Sequence, residues 1–263
     1  MQHSALLNVM MAAARKASRT LKRDFGEVEN LQVSLKGPGN FVTAADRKAE
    51  ETLKAELAKA RPGYSFLGEE SGSHAGTDTT HTWIVDPLDG TTNFLHGIPQ
   101  FAISIGLERS GTIVAGVIYN PITDELFVAE RGKGAFLNDK RLRVAARKRL
   151  GDSVIACGLP HLGRGDLDLG LRELNAIQDK VAGLRRFGAA ALDMAFVAAG
   201  RLDGYWERNI SPWDIAAGII ILREAGGFVT DIDGADAMFT KKHVVAGNET
   251  IQRELQRLLK AAA

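Results

Sequence analysis

Cysteine is almost absent from this chain. Cys157 stands alone, which excludes an internal disulfide framework and makes a reducing cytoplasm the expected setting. The six histidines are scattered without ligand-like spacing, which disfavours zinc hydrolysis and a serine triad. There is no Walker A loop, no HExxH, no GxSxG elbow and no CxxC pair. No apolar run is long enough to span a bilayer, so no membrane association is expected. In residues 1–25 the apolar stretch precedes the basic residues, the wrong order for a signal peptide, so an amphipathic first helix is expected there. Charge of one sign is lacking as well. Lys and Arg number 33 against 32 Asp and Glu, a net charge of +1, so no global field points to nucleic acid or membrane.

What is present suits one large α/β unit or two closely joined halves in 263 residues. Leu6, Val9, Met10 and Ala13 recur at helical spacing. The segment VSLKGPGNFVT, around Lys36, Asn40 and Phe41, reads as a loop or hairpin tip. Thr43 caps a helix running to Ala60, and Pro62-Gly63 stops it. YSFLGEES is a short strand ending in Glu69 and Glu70, followed by a polar loop over 71–82. Segments 102–108, 113–119 and 125–130 read as strands joined by hairpin-like turns, hence antiparallel. Helices are expected at 166–180, 188–199, 212–225 and 249–260. The expectation is a single layered α/β unit over 1–263, with an antiparallel-sheet-rich half to about residue 150 and an α/β half over 151–263.

Chemistry is left to carboxylates at the ends of expected strands or helices: Asp46, Glu69, Glu70, Asp86, Asp89 and Asp214. Hard oxygen ligands without imidazole or thiolate suit Mg²⁺ or Mn²⁺. In WIVDPLDGTTNF, Trp83 to Val85 read as a buried strand ended by Asp86, with Asp89 on the turn that follows. The Leu88 carbonyl can add an oxygen, and Gly90 and Thr91 offer amides to an anion if a helix starts there. Asp-Pro-x-Asp-Gly is equally good turn chemistry. In SPWDIAAG, Ser211 suits an N-cap and Pro212 the first helical position, so Asp214 falls in a first turn that the helix dipole alone would explain. The same dipole explanation applies to Asp46.

GEES at 68–71, DPLDGTTNF at 86–94 followed by HGIP, GAAALDMAFVAAGRLDGYWE at 188–207 and WDIAAGIIILREAGG at 213–227 occur in this order over nearly the whole chain. The sequence resembles the inositol monophosphatase family of Mg²⁺-dependent, lithium-sensitive phosphatases. The resemblance implies a layered α-β-α-β-α sandwich of the inositol monophosphatase and fructose-bisphosphatase type. It implies one Mg²⁺ held by Glu69, Asp86 and the Leu88 carbonyl, and a second held by Asp86, Asp89 and Asp214, with a weaker third nearby. It further implies phosphate held by Gly90 and Thr91, a water oriented by Thr91 and Asp46 with Glu69 counted among the catalytic groups, and substrate contacts from Asp89, Asp214, Glu207 and the backbone of Ala189 and Ala190. The loop carrying Lys36 resembles the family's mobile metal-site loop. A homodimer and a small phosphorylated substrate, inositol monophosphate or similar, are the implied partners.

The sequence departs from the animal members of that family at Ala189, in RNISPWD, and in a shorter loop between Glu70 and Trp83. These departures touch the choice of substrate more than the chemistry. A bisphosphatase acting on fructose 1,6-bisphosphate or 3′-phosphoadenosine 5′-phosphate is the alternative within the enzyme class, with Arg185, Arg186 and Arg208 as candidates for the second phosphate. Some bacterial relatives join transcription antitermination complexes. Six of the ten residues from Lys140 to Arg149 are basic and offer a face to RNA or to the transcription machinery, although in a nearly neutral chain a solvated surface is the readier explanation of such a run.

Overall fold

The structure is a computed structural model. It describes residues 3–25, 33–37, 40–161 and 165–263, with the side chains of 33–37 and 40–42 outside that description. Helix α1 (Ala5–Phe25) is followed by an antiparallel pair, β1 (Val33–Gly37) and β2 (Asn40–Thr43), and by helix α2 (Ala44–Ala60). The expected hairpin is therefore present. Its tip, Pro38 and Gly39, and the expectations placed on the side chains of Lys36, Asn40 and Phe41 lie outside the described residues.

The larger sheet contains β3 (Tyr64–Gly68), β4 (Gly72–His74), β5 (Asp78–Asp89), β6 (Ala102–Arg109), β7 (Thr112–Asn120), β8 (Glu125–Glu130), β9 (Gly134–Leu137) and β10 (Lys140–Arg141). Its spatial order is β10-β9-β8-β7-β6-β5-β3-β4. Every neighbouring pair is antiparallel except β3 with β5. The second sheet orders β12 (Gly183–Arg185), β11 (Val154–Cys157), β13 (Gly204–Arg208), β15 (His243–Gly247) and β14 (Phe228–Thr230).

Period-2 alternation sorts the core into layers. On β5 to β7, Trp83, Val85, Ile103, Ile105 and Val117 pack against Met10 and Leu21 of α1 and Leu53 and Leu57 of α2. Ile84 and Ile118 point the other way, toward α5 (Ala190–Ala198) and α6 (Pro212–Glu224). On β13, Tyr205 joins that middle layer, whereas Trp206 faces Ile177 of α4 (Leu167–Gln178) and Ile251 and Leu255 of α8 (Glu249–Ala262). The result is α-β-α-β-α, the layered sandwich expected. Gly106 and Gly116 let α6 lie close on the sheet: a Cβ would sit 2.7 Å from the Ala216 Cβ at the first and 2.7 Å from the Ala217 carbonyl oxygen at the second. Among the described residues no helix is long and apolar enough to cross a membrane.

Two expectations need correction. The polar stretch 71–82 is not all loop, since β4 occupies part of it and β5 begins at Asp78. Its threonines are β-branched and suit a half-exposed strand. Nor does the strand end at Asp86. It continues through Pro87 to Asp89, with an irregularity where the three steps from Asp86 to Asp89 face two on β6, from Ser104 to Ala102. This is a β-bulge, where proline's missing N–H is tolerated within a sheet.

Candidate active site

The bulge solves a geometric problem. Residues three apart on a regular strand point to opposite faces. One extra residue resets the alternation, and Asp86 and Asp89 then meet on one side. The Leu88 amide, turned out of the ladder, donates to Asp86 Oδ1 at 2.8 Å. Directly after the bulge, Gly90 takes φ +95°, and a Cβ there would fall 2.9 Å from the Gln100 carbonyl oxygen, so the position demands glycine. The short helix α3 (Thr91–Leu95) starts from it.

Asp214 arrives from α6. Ser211 is its N-cap, Pro212 occupies the first turn, and the Ser211 amide donates to Asp214 Oδ2 at 2.8 Å, closing a capping box. Helix capping thus explains the residue's position, but not its company. Asp86, Asp89 and Asp214 each place a carboxylate oxygen so that all lie within 4.8 Å of one another. Asp86 is 1% exposed and Asp89 9%. Burial first, then the charges of Glu69, Asp89 and Asp214, holds the Asp86 carboxyl well above the usual carboxylate range. Burial and Asp214 do the same to Asp89, opposed by the Ala191 amide, which donates to Asp89 Oδ2 at 2.7 Å. Burial lifts Asp214 to about 7 against the Ser211 hydrogen bond. Three mutually repelling acids set in the cavity wall fit a hard divalent cation, which would supply the missing positive charge, and the all-oxygen donor set suits Mg²⁺.

Glu69 follows β3, with its amide donating to the Val85 carbonyl at 3.2 Å. The turn it sits on is fastened from behind: the buried Glu50 carboxylate of α2 accepts the Glu70 amide at 2.9 Å and the Ser71 amide at 2.8 Å. One helical turn earlier on α2, Asp46 completes a capping box with Thr43, whose amide donates to Asp46 Oδ2 at 2.9 Å. Asp46 Oδ1 accepts from the Thr91 hydroxyl at 3.2 Å. Burial raises the Asp46 pKa, and the Thr43 hydrogen bonds oppose it.

Glu69 and the three clustered aspartates border one cavity of about 410 Å³. Of the residues expected from sequence, Glu69, Asp86, Leu88, Asp89, Gly90, Thr91, Ala190, Glu207 and Asp214 line it. Asp46 stands behind Thr91, and Ala189 is the buried N-cap of α5 rather than a wall residue. Glu207, on β13, accepts a hydrogen bond from the Tyr205 hydroxyl. Sequence reasoning missed Glu50, Asn93, Asp193 and Gly158. Asn93 Nδ2 donates to the Gln100 and Phe187 carbonyls at 2.7 and 2.8 Å and ties α3 to the loop before α5. Asp193 had a readable signal, being the one charged residue in the apolar helix AALDMAFVA.

The sequence matches the inositol monophosphatase family over residues 2–263. It is 65% identical to a Mesorhizobium japonicum protein named inositol-1-monophosphatase, over 99% of this chain and 98% of that one. It is 42% identical to a Pseudomonas aeruginosa protein named Nus factor SuhB, over 92% of this chain and 91% of that one. The fold superposes with TM-score 0.95 on the crystal structure of the extragenic suppressor protein suhB from Bartonella henselae, 62% identical, covering 98% of this chain and 99% of that chain. Motif order, layer order and full-length similarity agree, and the chain belongs to the inositol monophosphatase family.

Proposed function

We propose that this protein hydrolyses a phosphate monoester, inositol 1-phosphate or a close relative, by direct attack of water. The observation that carries the reading is the convergence of three carboxylates, with oxygens within 4.8 Å of one another, on the cavity that the Thr91 hydroxyl also lines. Glu69, Asp86 and the Leu88 carbonyl would hold one Mg²⁺, and Asp86, Asp89 and Asp214 a second. Bound there, Mg²⁺ supplies Lewis-acid stabilisation of the phosphoryl and leaving oxygens and makes water easier to deprotonate. The chain's own groups then position the reactants. The Thr91 hydroxyl gives its hydrogen to Asp46 Oδ1, leaving its lone pairs to accept from a water and aim it at phosphorus. Asp46, with a pKa raised by burial, is poised to take the proton. The backbone at Gly90 and Thr91 faces the phosphate, and Glu207 accepts from substrate hydroxyls. With this reading go the properties the resemblance implies: Mg²⁺ dependence, lithium inhibition, a homodimer and a cytoplasmic location.

Of the three arginines expected for the bisphosphatase alternative, Arg186 and Arg208 line the cavity and Arg185 does not. Arg208 Nε is committed to the buried Glu173 at 2.6 Å, and Arg185 turns to the Leu184 carbonyl at 2.8 Å. Arg186 faces the cavity with no carboxylate partner among the described residues. Phosphate release from inositol, glycerol, sugar and nucleotide phosphates, with and without Mg²⁺, tests the assignment. Inositol monophosphates should rank among the best substrates, and excess chelator should abolish turnover. Full activity in chelator would contradict it.

A second reading, contact with RNA in transcription complexes, is favoured by relatives named Nus factor SuhB and by the exposed Lys140, Arg141, Arg143 and Lys148. Neighbouring Arg147 and Arg149 are engaged with Asp203 and Asp152 at 2.6 and 3.7 Å. Retention on single-stranded RNA that falls steeply with salt would support this role, and absence of retention at low salt would remove it.

A further inference from the structure

Helix α5 reads AALDMAFVA, and eight of its nine residues are apolar. Asp193 lies in its first turn and is 1% exposed. The helix dipole favours an acid there, but that effect works as well at a wet surface and does not explain burial. Nor does Asp193 cap the helix. Among the described residues its Oδ1 has no hydrogen-bond partner, and the Ala191 amide goes to Asp89 instead. A buried carboxylate oxygen left without a donor is expensive, and such orphans call for an explanation.

The explanation lies in what Asp193 faces. It lines the same cavity as the carboxylate cluster, beside Glu207. Glu207 is held by the Tyr205 hydroxyl, and Gly158 leaves room for it, since a Cβ at 158 would fall 1.9 Å from the Glu207 carboxyl carbon. Burial and the Glu207 charge raise the Asp193 pKa, with Arg186 opposing. The cavity therefore has a phosphate end at Asp86, Asp89 and Asp214 and a second acidic end at Asp193 and Glu207.

We propose that Asp193 is a specificity residue whose free Oδ1 accepts a hydroxyl of the substrate's alcohol, adjacent to the hydroxyl taken by Glu207, so that the pair seats a vicinal diol. The ligand class is the phosphate monoester of a polyol with neighbouring hydroxyls. The inference rests on the phosphatase reading above and deepens it. A site built to bond a hydroxyl rejects esters lacking it, because the buried acceptor is then left unpaired. Asp193 acts on the alcohol rather than on the phosphoryl group, so it governs which ester is chosen and not the rate of attack on phosphorus.

The test compares inositol 1-phosphate with p-nitrophenyl phosphate, which has no aliphatic hydroxyl, in the parent protein and in Asp193→Leu and Asp193→Asn. Leucine keeps the shape and removes every acceptor, whereas asparagine keeps one oxygen. The kcat/KM ratio of the polyol ester to the aryl ester should fall about tenfold or more in Asp193→Leu, through KM for the polyol ester. Aryl-ester kinetics should stay within about twofold of the parent and serve as the folding control, and Asp193→Asn should recover most of the ratio. If both esters decline together in the leucine variant, Asp193 is only structural and the proposal fails. If the ratio survives, Oδ1 meets no substrate hydroxyl and the proposal fails. A parent that hydrolyses neither ester defeats the phosphatase reading itself and this inference with it, whereas a working parent with an unmoved ratio defeats this inference alone.

Discussion

The Thr91 hydroxyl lies 3.2 Å from Asp46 Oδ1 and 3.1 Å from the Leu88 carbonyl oxygen, so one side chain joins helix α2 to the bulge of β5. The arrangement orients the hydroxyl hydrogen away from the cavity and its lone pairs toward it. Thr91→Ala should lower kcat about 10²-fold or more while leaving KM within a few-fold, because orientation of the water is lost and ground-state binding is not. Thr91→Ser keeps the hydroxyl and should stay within about tenfold of the parent. Phosphate-release kinetics check this, and a fully active alanine variant would remove Thr91 from the chemistry.

Glu50 touches no substrate, but it holds the turn that carries Glu69 through the amides of Glu70 and Ser71. In Glu50→Gln one acceptor becomes an NH₂ group facing an amide donor, so the turn loses a charge-assisted hydrogen bond. The Mg²⁺ concentration giving half-maximal activity should rise about tenfold, with kcat at saturating Mg²⁺ near that of the parent. Mg²⁺-dependent melting provides an independent readout of the same affinity. An unchanged Mg²⁺ requirement would show that Glu69 does not depend on this support.

Much of this site was legible in the chain. Ser211-Pro212 and Thr43 announced their helices, and with them the places of Asp214 and Asp46, because capping chemistry is local. The layered sandwich followed from strand and helix periods together with the family motifs. The bulge was not legible. Asp-Pro-Leu-Asp-Gly suits a turn as well as a strand, and only pairing with β6 decides between them. Glu50 was missed for a similar reason, since a glutamate in a helix looks solvated until a distant turn closes over it. Asp193 could have been noticed as a charge amid alanine, leucine and phenylalanine, but its orphaned oxygen is a property of packing that periodicity does not carry.

Asp86, Asp89 and Asp214 all have raised carboxyl pKa values, the last about 7. Between about pH 4, where an unfolded carboxyl titrates, and that raised range, the folded metal-free protein keeps protons that the unfolded chain has lost. The stabilising contribution of Asp214 is therefore full below about pH 4 and lost as pH rises through about 7, and those of Asp86 and Asp89 are lost in the same direction as pH rises. In chelator the melting temperature should fall from pH 5 to pH 8. Saturating Mg²⁺ reverses the sign, since a bound cation favours the ionised acids, so the shift produced by Mg²⁺ should grow with pH. Paired thermal melts measure it, and a Mg²⁺ shift independent of pH would contradict the raised values.

The most direct measurement concerns Asp89→Asn, melted with and without Mg²⁺ and assayed for phosphate release. Asparagine keeps an oxygen for the Ala191 amide, which donates to Asp89 at 2.7 Å in the parent. It also removes one of three repelling charges. If Asp86, Asp89 and Asp214 form a metal site, the variant in chelator melts at or above the parent temperature. Mg²⁺ then stabilises the parent and the variant much less, and turnover falls about 10³-fold or more. If the acids only build the bulge and cap the helices, the variant is destabilised equally with and without Mg²⁺, and turnover per folded molecule survives. That second pattern would contradict the metal site.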